Sequence, residues 1–236
     1  MVLLGTAINA LLIVIGTLIG RFLQGIPDRI KDTVMSVIGL AVAVLGIQMG
    51  IQSENFIVVI VSLVFGAIIG EWIDLDKQLN CFGQWIEKKL GNKVKSGNGN
   101  ISQGFVNATL IFVIGSMAII GALDSGLRND HSVLITKGII DGFTAVILAS
   151  TLGIGVILSA VSVFLYQGII AVFAGQISRF IPDEALQMFI QEMTATGGVM
   201  ILAIGLNLIG LTKIRVANLL PGMLIVAIAV MIMYLF

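Results

Sequence analysis

Gly115–Gly142 reads GSMAIIGALDSGLRNDHSVLITKGIIDG, a charged interval set between stretches of apolar sequence. Its last third decides the fold. Lys137 and Asp141 stand four residues apart, so on a helix they share one face and can form an ion pair. The segment that holds them, Val133 to Leu152, has about the length a bilayer demands of a helix. Asp141 then falls near mid-bilayer, with Lys137 about one turn closer to the surface. A charge at that depth is unfavourable by roughly 2.5–3.5 kcal/mol and marks a functional position by default. The plainer reading is that the two charges neutralise each other and only pack helices together.

Outward from this segment the chain stays of one kind. Of its 236 residues 58% are hydrophobic and 11% charged, and the mean hydropathy is +1.09, too apolar for a soluble domain of this size. The fold class expected is an all-α polytopic membrane protein with about eight transmembrane helices and the lipid bilayer as its first partner. Thirteen Lys and Arg balance thirteen Asp and Glu, which leaves no basic surface for nucleic acid. One cysteine, Cys81, and one histidine, His131, support neither a disulfide nor a Cys/His metal site, and no cofactor is expected. With no G-x-S-x-G, no H-E-x-x-H and no second histidine, an enzyme is not expected. The first twenty residues lack a basic leader and a cleavage site, and read as a permanent helix.

The expected spans are Val2 to Gly20, Thr33 to Ile51, Phe56 to Gly70, Phe105 to Leu123, Val133 to Leu152, Ile154 to Gly175, Ala185 to Leu211 and Asn218 to Phe236, the last kinked by Pro221. Gly16/Gly20, Gly46/Gly50, Gly66/Gly70 and Gly138/Gly142 give four of them small-residue faces on which helix backbones can approach. Those faces make a homo-oligomer a reasonable expectation. Between the third and fourth spans, Trp72, Leu75, Leu79, Phe82, Ile86 and Leu90 recur at helical spacing among polar residues, as in a helix lying in the membrane surface. Lys77, Lys88, Lys89, Lys93 and Lys95 accompany it, and Ser96 to Asn100 reads as a linker. The links after spans one, three and seven hold three, five and two Lys or Arg, against none, one and one after spans two, four and six. By the positive-inside rule both termini are expected outside.

Spans six to eight echo spans one to three. Gly20 precedes Ile26-Pro27-Asp28 as Gly175 precedes Ile181-Pro182-Asp183, and Gly39, Gly46 and Gln48 are spaced as Gly198, Gly205 and Asn207 are. The charge count places the two Ile-Pro-Asp turns on opposite faces, so the copies are inverted. The expected division is 1–73 as a first three-helix repeat, 74–104 as a cytoplasmic surface helix and linker, 105–152 as a central charged hairpin, and 153–236 as the second repeat.

Inverted repeats with a broken helix are the pattern of secondary transporters. The break is expected at Glu192-Met-Thr-Ala-Thr-Gly-Gly198, where unwound backbone and a helix starting at Gly198 would face a small solute or ion. Candidate substrate-binding residues are Lys137, Asp141, Thr194, Thr196, Gly197 and Gly198; candidates for a coupling proton or Na⁺ are Glu192 and Asp141. The solute is anionic or zwitterionic on this reading. An oligomeric ion channel and a non-transporting accessory protein are the alternatives. Against these roles stand simpler ones: hydrogen bonds within their own helix for Thr194 and Thr196, and an interfacial carboxylate for Glu192, about 10 Å along the helix from Ala185. Asn9, Asn107, Asn207 and Gln167 read as interhelical glue, and Asp124 as a loop acid that with Ser116 could line a way in.

Three stretches carry a resemblance: FVNATLIFVIGSMAIIGALDSGL from Phe105, TKGIIDGFTAVILASTLGIGV from Thr136, and EMTATGGVMILAIGLNLIGLTKIRVANLLPG from Glu192. They resemble the bacterial family of multi-spanning proteins of unknown function represented by YdfK and YqgA, over the whole chain. The resemblance implies a bacterial cytoplasmic-membrane location and supplies no substrate or catalytic residue.

Overall fold

The computed structural model describes residues 1–22, 28–79, 81, 85 and 101–235. Pro27, the surface-helix positions Phe82, Ile86 and Leu90, Lys88, Lys89, Lys93, Lys95 and the 96–100 linker lie outside the described residues. Within them the fold is helical and contains no strand. The helices are α1 (Leu4–Phe22), α2 (Asp28–Gly50), α3 (Phe56–Ile73), α4 (Ile101–Val113), α5 (Ser116–Arg128), α6 (Ser132–Leu152), α7 (Ser159–Val172), α8 (Ala174–Phe180), α9 (Asp183–Leu208) and α10 (Pro221–Leu235). Two 3₁₀ turns, Ile154–Leu158 and Val216–Leu219, lead into α7 and α10. Among the described residues six helical segments are long and apolar enough to cross a membrane; α4 with α5 forms a bent pair, and Ser36–Gly50 is a shorter apolar helix. The protein is therefore an all-α polytopic membrane protein.

Two compact units divide the helices. The first holds residues 1–31, 79–113 and 117–179, hence α1 and α4 to α8. In it α1 and α6 run parallel, because Asn9 lies on Gly138, Gly16 on Gly142 and Gly20 on Val146 and Ala149. A Cβ on Gly16 or Gly20 would overlap the facing backbone carbonyl, so glycine is what allows the two backbones to touch. The N-terminal end is closed by Ser125, whose hydroxyl donates to the Val2 carbonyl at 2.8 Å and lies 2.8 Å from Nδ1 of His131. Asp130 accepts from the Ser132 backbone N–H and hydroxyl at 3.0 and 2.7 Å, ahead of the first turn of α6. Those bonds, the backbone one foremost, hold its carboxyl below the usual carboxylate range.

The second unit holds residues 32–78, 114–116 and 180–236, hence most of α2, then α3, α9 and α10. Here α2 runs antiparallel to α9: Gly39 meets Gly205 and Ile209, and Gly46 meets Gly198 and Leu202. Gly66 and Gly70 of α3 lie on Gly222 and Asn218, so α3 and α10 are antiparallel too. At one end Asn55 Nδ2 donates to Met233 Sδ at 3.7 Å. At the other, Arg215 pairs with Glu71 at 3.1 Å and the Asp76 N–H donates to Asn218 Oδ1 at 2.7 Å. Each unit thus draws helices from both halves of the sequence.

Several expectations are corrected. The helix α9 is continuous through Glu192, Thr194, Thr196, Gly197 and Gly198, with no unwound segment. Its two glycines serve packing: a Cβ on Gly197 would overlap Ile114, and one on Gly198 would come 2.5 Å from the Gly50 nitrogen. A glycine pair weakens a helix by about 1 kcal/mol per residue, which tertiary contact along a tight seam offsets. The chain bends sharply elsewhere: α4 and α5 meet at 62°, where Gly115 adopts φ +139°, a conformation side-chain-bearing residues rarely take. Asp124 is within α5 and pairs with Arg128 at 3.5 Å, so it is no loop acid. Pro221 does not kink the last helix but starts it, where its missing N–H is harmless. Asn207 is not interhelical glue; it clasps the following link, accepting from Thr212 and the Ile214 N–H and donating to the Ile214 carbonyl.

Candidate functional site

The site is built on the middle of the 21-residue α6. Lys137 and Asp141 project from one face a turn apart, and Gly138 and Gly142 on that face bring α1 close enough to cover them. Lys137 is 6% exposed and Asp141 5%. The Lys137 ammonium donates to Asp141 Oδ2 at 2.5 Å, forming a buried ion pair. Taking both charges out of water is expensive, and mutual attraction repays it only with good geometry and further hydrogen bonds.

Two amides from other helices belong to the same unit, and one of them, Asn9, packs against Gly138 beside Lys137. Asn9 of α1 and Gln167 of α7 are both completely buried. Asn9 donates from Nδ2 to Gln167 Oε1 at 3.3 Å. Asn9 Oδ1, Gln167 Nε2 and the Thr6 hydroxyl, one turn before Asn9, have no hydrogen-bond partner among the described residues. An unpaired buried amide group is costly, so such a cluster is a place where a further polar group would be welcome.

Thr194, Thr196, Gly197, Gly198 and Glu192 belong to the second unit. Glu192 is 1% exposed. Its Oε1 accepts from the N–H groups of Glu54 and Asn55 at 3.0 Å each, and its Oε2 from the Ser53 hydroxyl at 2.6 Å. The carboxylate thereby holds the link between α2 and α3 and places negative charge beside the start of α3. Gln191 reinforces it by donating to the Gln52 carbonyl at 2.7 Å. Thr194 and Thr196 are buried and bond neither to their own helix nor to any other described residue. Gly197 and Gly198 are covered by Ile114, Gly46, Met49 and Gly50.

Sequence spacing pointed to Lys137 and Asp141 but not to the part played by Asn9 and Gln167 around them. The available signal was their rank as polar residues in the middle of two apolar spans; that they meet depends on a contact 158 residues apart. Among the described residues no group of three His, Cys, Asp or Glu side chains could hold a metal ion.

Comparison with known proteins places the chain among relatives of the same length. The family described as "Protein of unknown function (DUF554)" matches residues 4–231. The uncharacterized membrane protein YdfK of Bacillus subtilis (strain 168) is 35% identical, covering 98% of this chain and 97% of its own. The uncharacterized protein YqgA of Escherichia coli (strain K12) is 30% identical over 94% of each chain. No solved structure matches.

Proposed function

The chain belongs to the DUF554 family of unknown function, and from that premise we propose that it is a secondary transporter of a small anionic or zwitterionic solute in the bacterial cytoplasmic membrane. The observation that carries this reading is the buried Lys137–Asp141 pair at the middle of a membrane-length helix, flanked by incompletely paired amides from two other helices. A pair used only to join helices has no need of donors and acceptors left over beside it. Lys137 offers a counter-charge to a carboxylate or similar anion, and Asp141 is the group that exchanges a proton or binds Na⁺. Asp141 takes the coupling role rather than Glu192, whose oxygens are already committed to three donors. Thr194 and Thr196 supply free hydroxyls in the second unit.

On this proposal both termini lie outside. In the second unit the end of α3 and the link after α9 share one end through the Arg215–Glu71 pair, in keeping with a cytoplasmic assignment for both basic links. The small-residue faces that suggested a homo-oligomer are occupied by packing within each unit, so self-association would use other surface.

A ligand-stability screen on purified protein tests the proposal. A small anion or zwitterion should raise the melting temperature of wild type and leave Lys137→Met unmoved, and the same compound should show saturable counterflow in proteoliposomes. Unitary currents in place of counterflow would identify a channel. Unchanged activity of Lys137→Met in any functional assay would leave the pair a packing device.

A further inference from the structure

We propose that the two links of the second unit, 51–55 between α2 and α3 and 209–215 after α9, form a coupled two-state clasp. Each link can be held by the opposite helical hairpin or by its own, and the two ends of the unit exchange these states together. The proposal rests on the transport reading for its purpose, since alternating access needs a second conformation.

The α2–α9 seam repeats itself atom by atom. A Cβ on Gly46 would meet, in order of closeness, the Leu202 nitrogen, the Gly198 oxygen and Leu202 Cα; one on Gly205 would meet the Ala43 nitrogen, the Gly39 oxygen and Ala43 Cα. One step along the sequence carries Gly39 to Gly198, Ala43 to Leu202 and Gly46 to Gly205, so each set of contacts turns into the other. The register in which the glycines recur is therefore the register in which they pack. The helices that follow, α3 and α10, are antiparallel as well. The hairpins α2–α3 and α9–α10 are two copies of one motif, related by a two-fold axis across the middle of the seam.

The same step carries Ser53, Glu54 and Asn55 to Thr212, Lys213 and Ile214, Gln48 to Asn207, and Thr33 to Glu192. Equivalent donors are thus held in two different ways. In the first link the Ser53 hydroxyl and the Asn55 N–H donate to Glu192 of the opposite hairpin, at 2.6 and 3.0 Å. In the second, the Thr212 hydroxyl and the Ile214 N–H donate to Asn207 Oδ1 of their own hairpin, at 2.7 and 2.9 Å. In each case one side chain gathers a hydroxyl and the N–H two residues further on. The counterparts differ in burial to match: Glu192 is buried, whereas Thr33, with Asp32 beside it, and Gln48 are exposed.

Exchanging the roles of the copies describes the other state. Gln48 Oε1 takes the Ser53 hydroxyl and the Asn55 N–H, and Glu192 releases them together with the Glu54 N–H, which turns to water. At the other end Asn207 gives up the Thr212 hydroxyl and the Ile214 N–H to Thr33 and the Asp32 carboxylate. The seam that sets Gly39 against Gly205 and Gly46 against Gly198 brings Thr33 opposite Leu211 and Asp32 opposite Thr212 when its register is continued. The Ser53, Asn55, Thr212 and Ile214 donors have an acceptor in both states. A solute that binds one state better then shifts the balance between them.

Two independent local braces would behave differently, because Asn207 lies about 22 Å along α9 from Glu192 and could not affect the link that Glu192 holds. Hydrogen-exchange mass spectrometry over 53–55, on the full chain in lipid nanodiscs without solute, makes the distinction. Asn207→Leu removes the clasp on the second link and should raise exchange over 53–55 by about fivefold or more, the factor for one hydrogen bond. Adding Gln48→Leu removes the acceptor of the other state and should return the exchange toward wild type. Unaltered exchange over 53–55 in Asn207→Leu overturns the clasp, as does a rise that Gln48→Leu fails to reverse. Should Asn207→Leu not fold, a disulfide between Thr33→Cys and Leu211→Cys in a Cys81→Ser background decides. Its formation should speed exchange over 53–55 and its reduction should restore protection; a disulfide that forms without this effect, or does not form, overturns the clasp. No solute enters these measurements, so their failure leaves the transport reading standing, whereas absence of any stabilising solute removes transport with the clasp intact.

Discussion

Replacing Glu192 should unlatch the start of α3, by an amount that depends on the shape of the substitute more than on its charge. The carboxylate takes two backbone N–H groups on Oε1 and one hydroxyl on Oε2. Glu192→Ala deletes all three bonds and leaves a cavity, and hydrogen bonds to a charged group contribute about 1.5–3 kcal/mol each when intact. The 53–55 link is only part-buried, so its freed donors recover some bonding from water, and the net loss should be about 3–5 kcal/mol. Glu192→Gln keeps the geometry. Its Oε1 can still accept from Glu54 and Asn55, and the Ser53 hydroxyl can rotate to accept from Nε2, so the loss is that of charge assistance, about 1 kcal/mol. Glu192→Asp withdraws the carboxylate by one methylene and should resemble alanine more than glutamine. Hydrogen-exchange mass spectrometry over 53–58 with thermal unfolding in nanodiscs measures both effects. If exchange at Glu54 and Asn55 is unaltered in Glu192→Ala, or if aspartate proves as good as glutamine, the latch is wrong.

Four other outcomes are expected. Lys137→Met or Asp141→Leu alone should destabilise by about 3–5 kcal/mol because each leaves a buried charge uncompensated, whereas the double substitution should recover most of the loss; reversible unfolding of the three variants decides it. Gly46→Ala should cost about 1–3 kcal/mol, since its Cβ would overlap the Leu202 nitrogen, while Gly50→Ala, with 3.8 Å to its nearest neighbour, should be neutral or gain up to about 1 kcal/mol in the same assay. Gly115→Ala should lower the melting temperature although a Cβ there has space, with Met49 Cε 4.0 Å away, because the strain is in the backbone. Asp130 is held below the usual carboxylate range by Ser132, so its contribution is complete above that range and is lost as pH falls through the folded-state value. The melting-temperature gap between wild type and Asp130→Ala should therefore be open at neutral pH and closed in acid.

The helical plan was legible because a bilayer imposes a length and an apolarity that few other structures imitate. The pair on α6 was legible for a similar reason, since four-residue spacing on a helix is a local property. What could not be read was whichever feature depends on a distant partner. Glu192 looked like a free acid because its three donors lie in a link 137 to 139 residues away. Gly197-Gly198 looked like a break because an isolated helix would falter there; contact with Ile114 and with α2 changes the balance. Gly115, where the chain does break, has the same local character as many glycines that stay helical, and its positive φ is decided by the bend around it.

The close seams described here divide the chain into positions with very different histories ahead of them. At Gly16, Gly20, Gly46, Gly66 and Gly70 one extra carbon would collide with a neighbouring main chain, while Leu11, Val44, Val64 and Phe143 point outward and tolerate any oily replacement. Evolutionary drift should accordingly run fast along the lipid-facing ridges and stall at these five places, so that distant homologues keep a skeleton of glycines long after the rest of their lettering has changed.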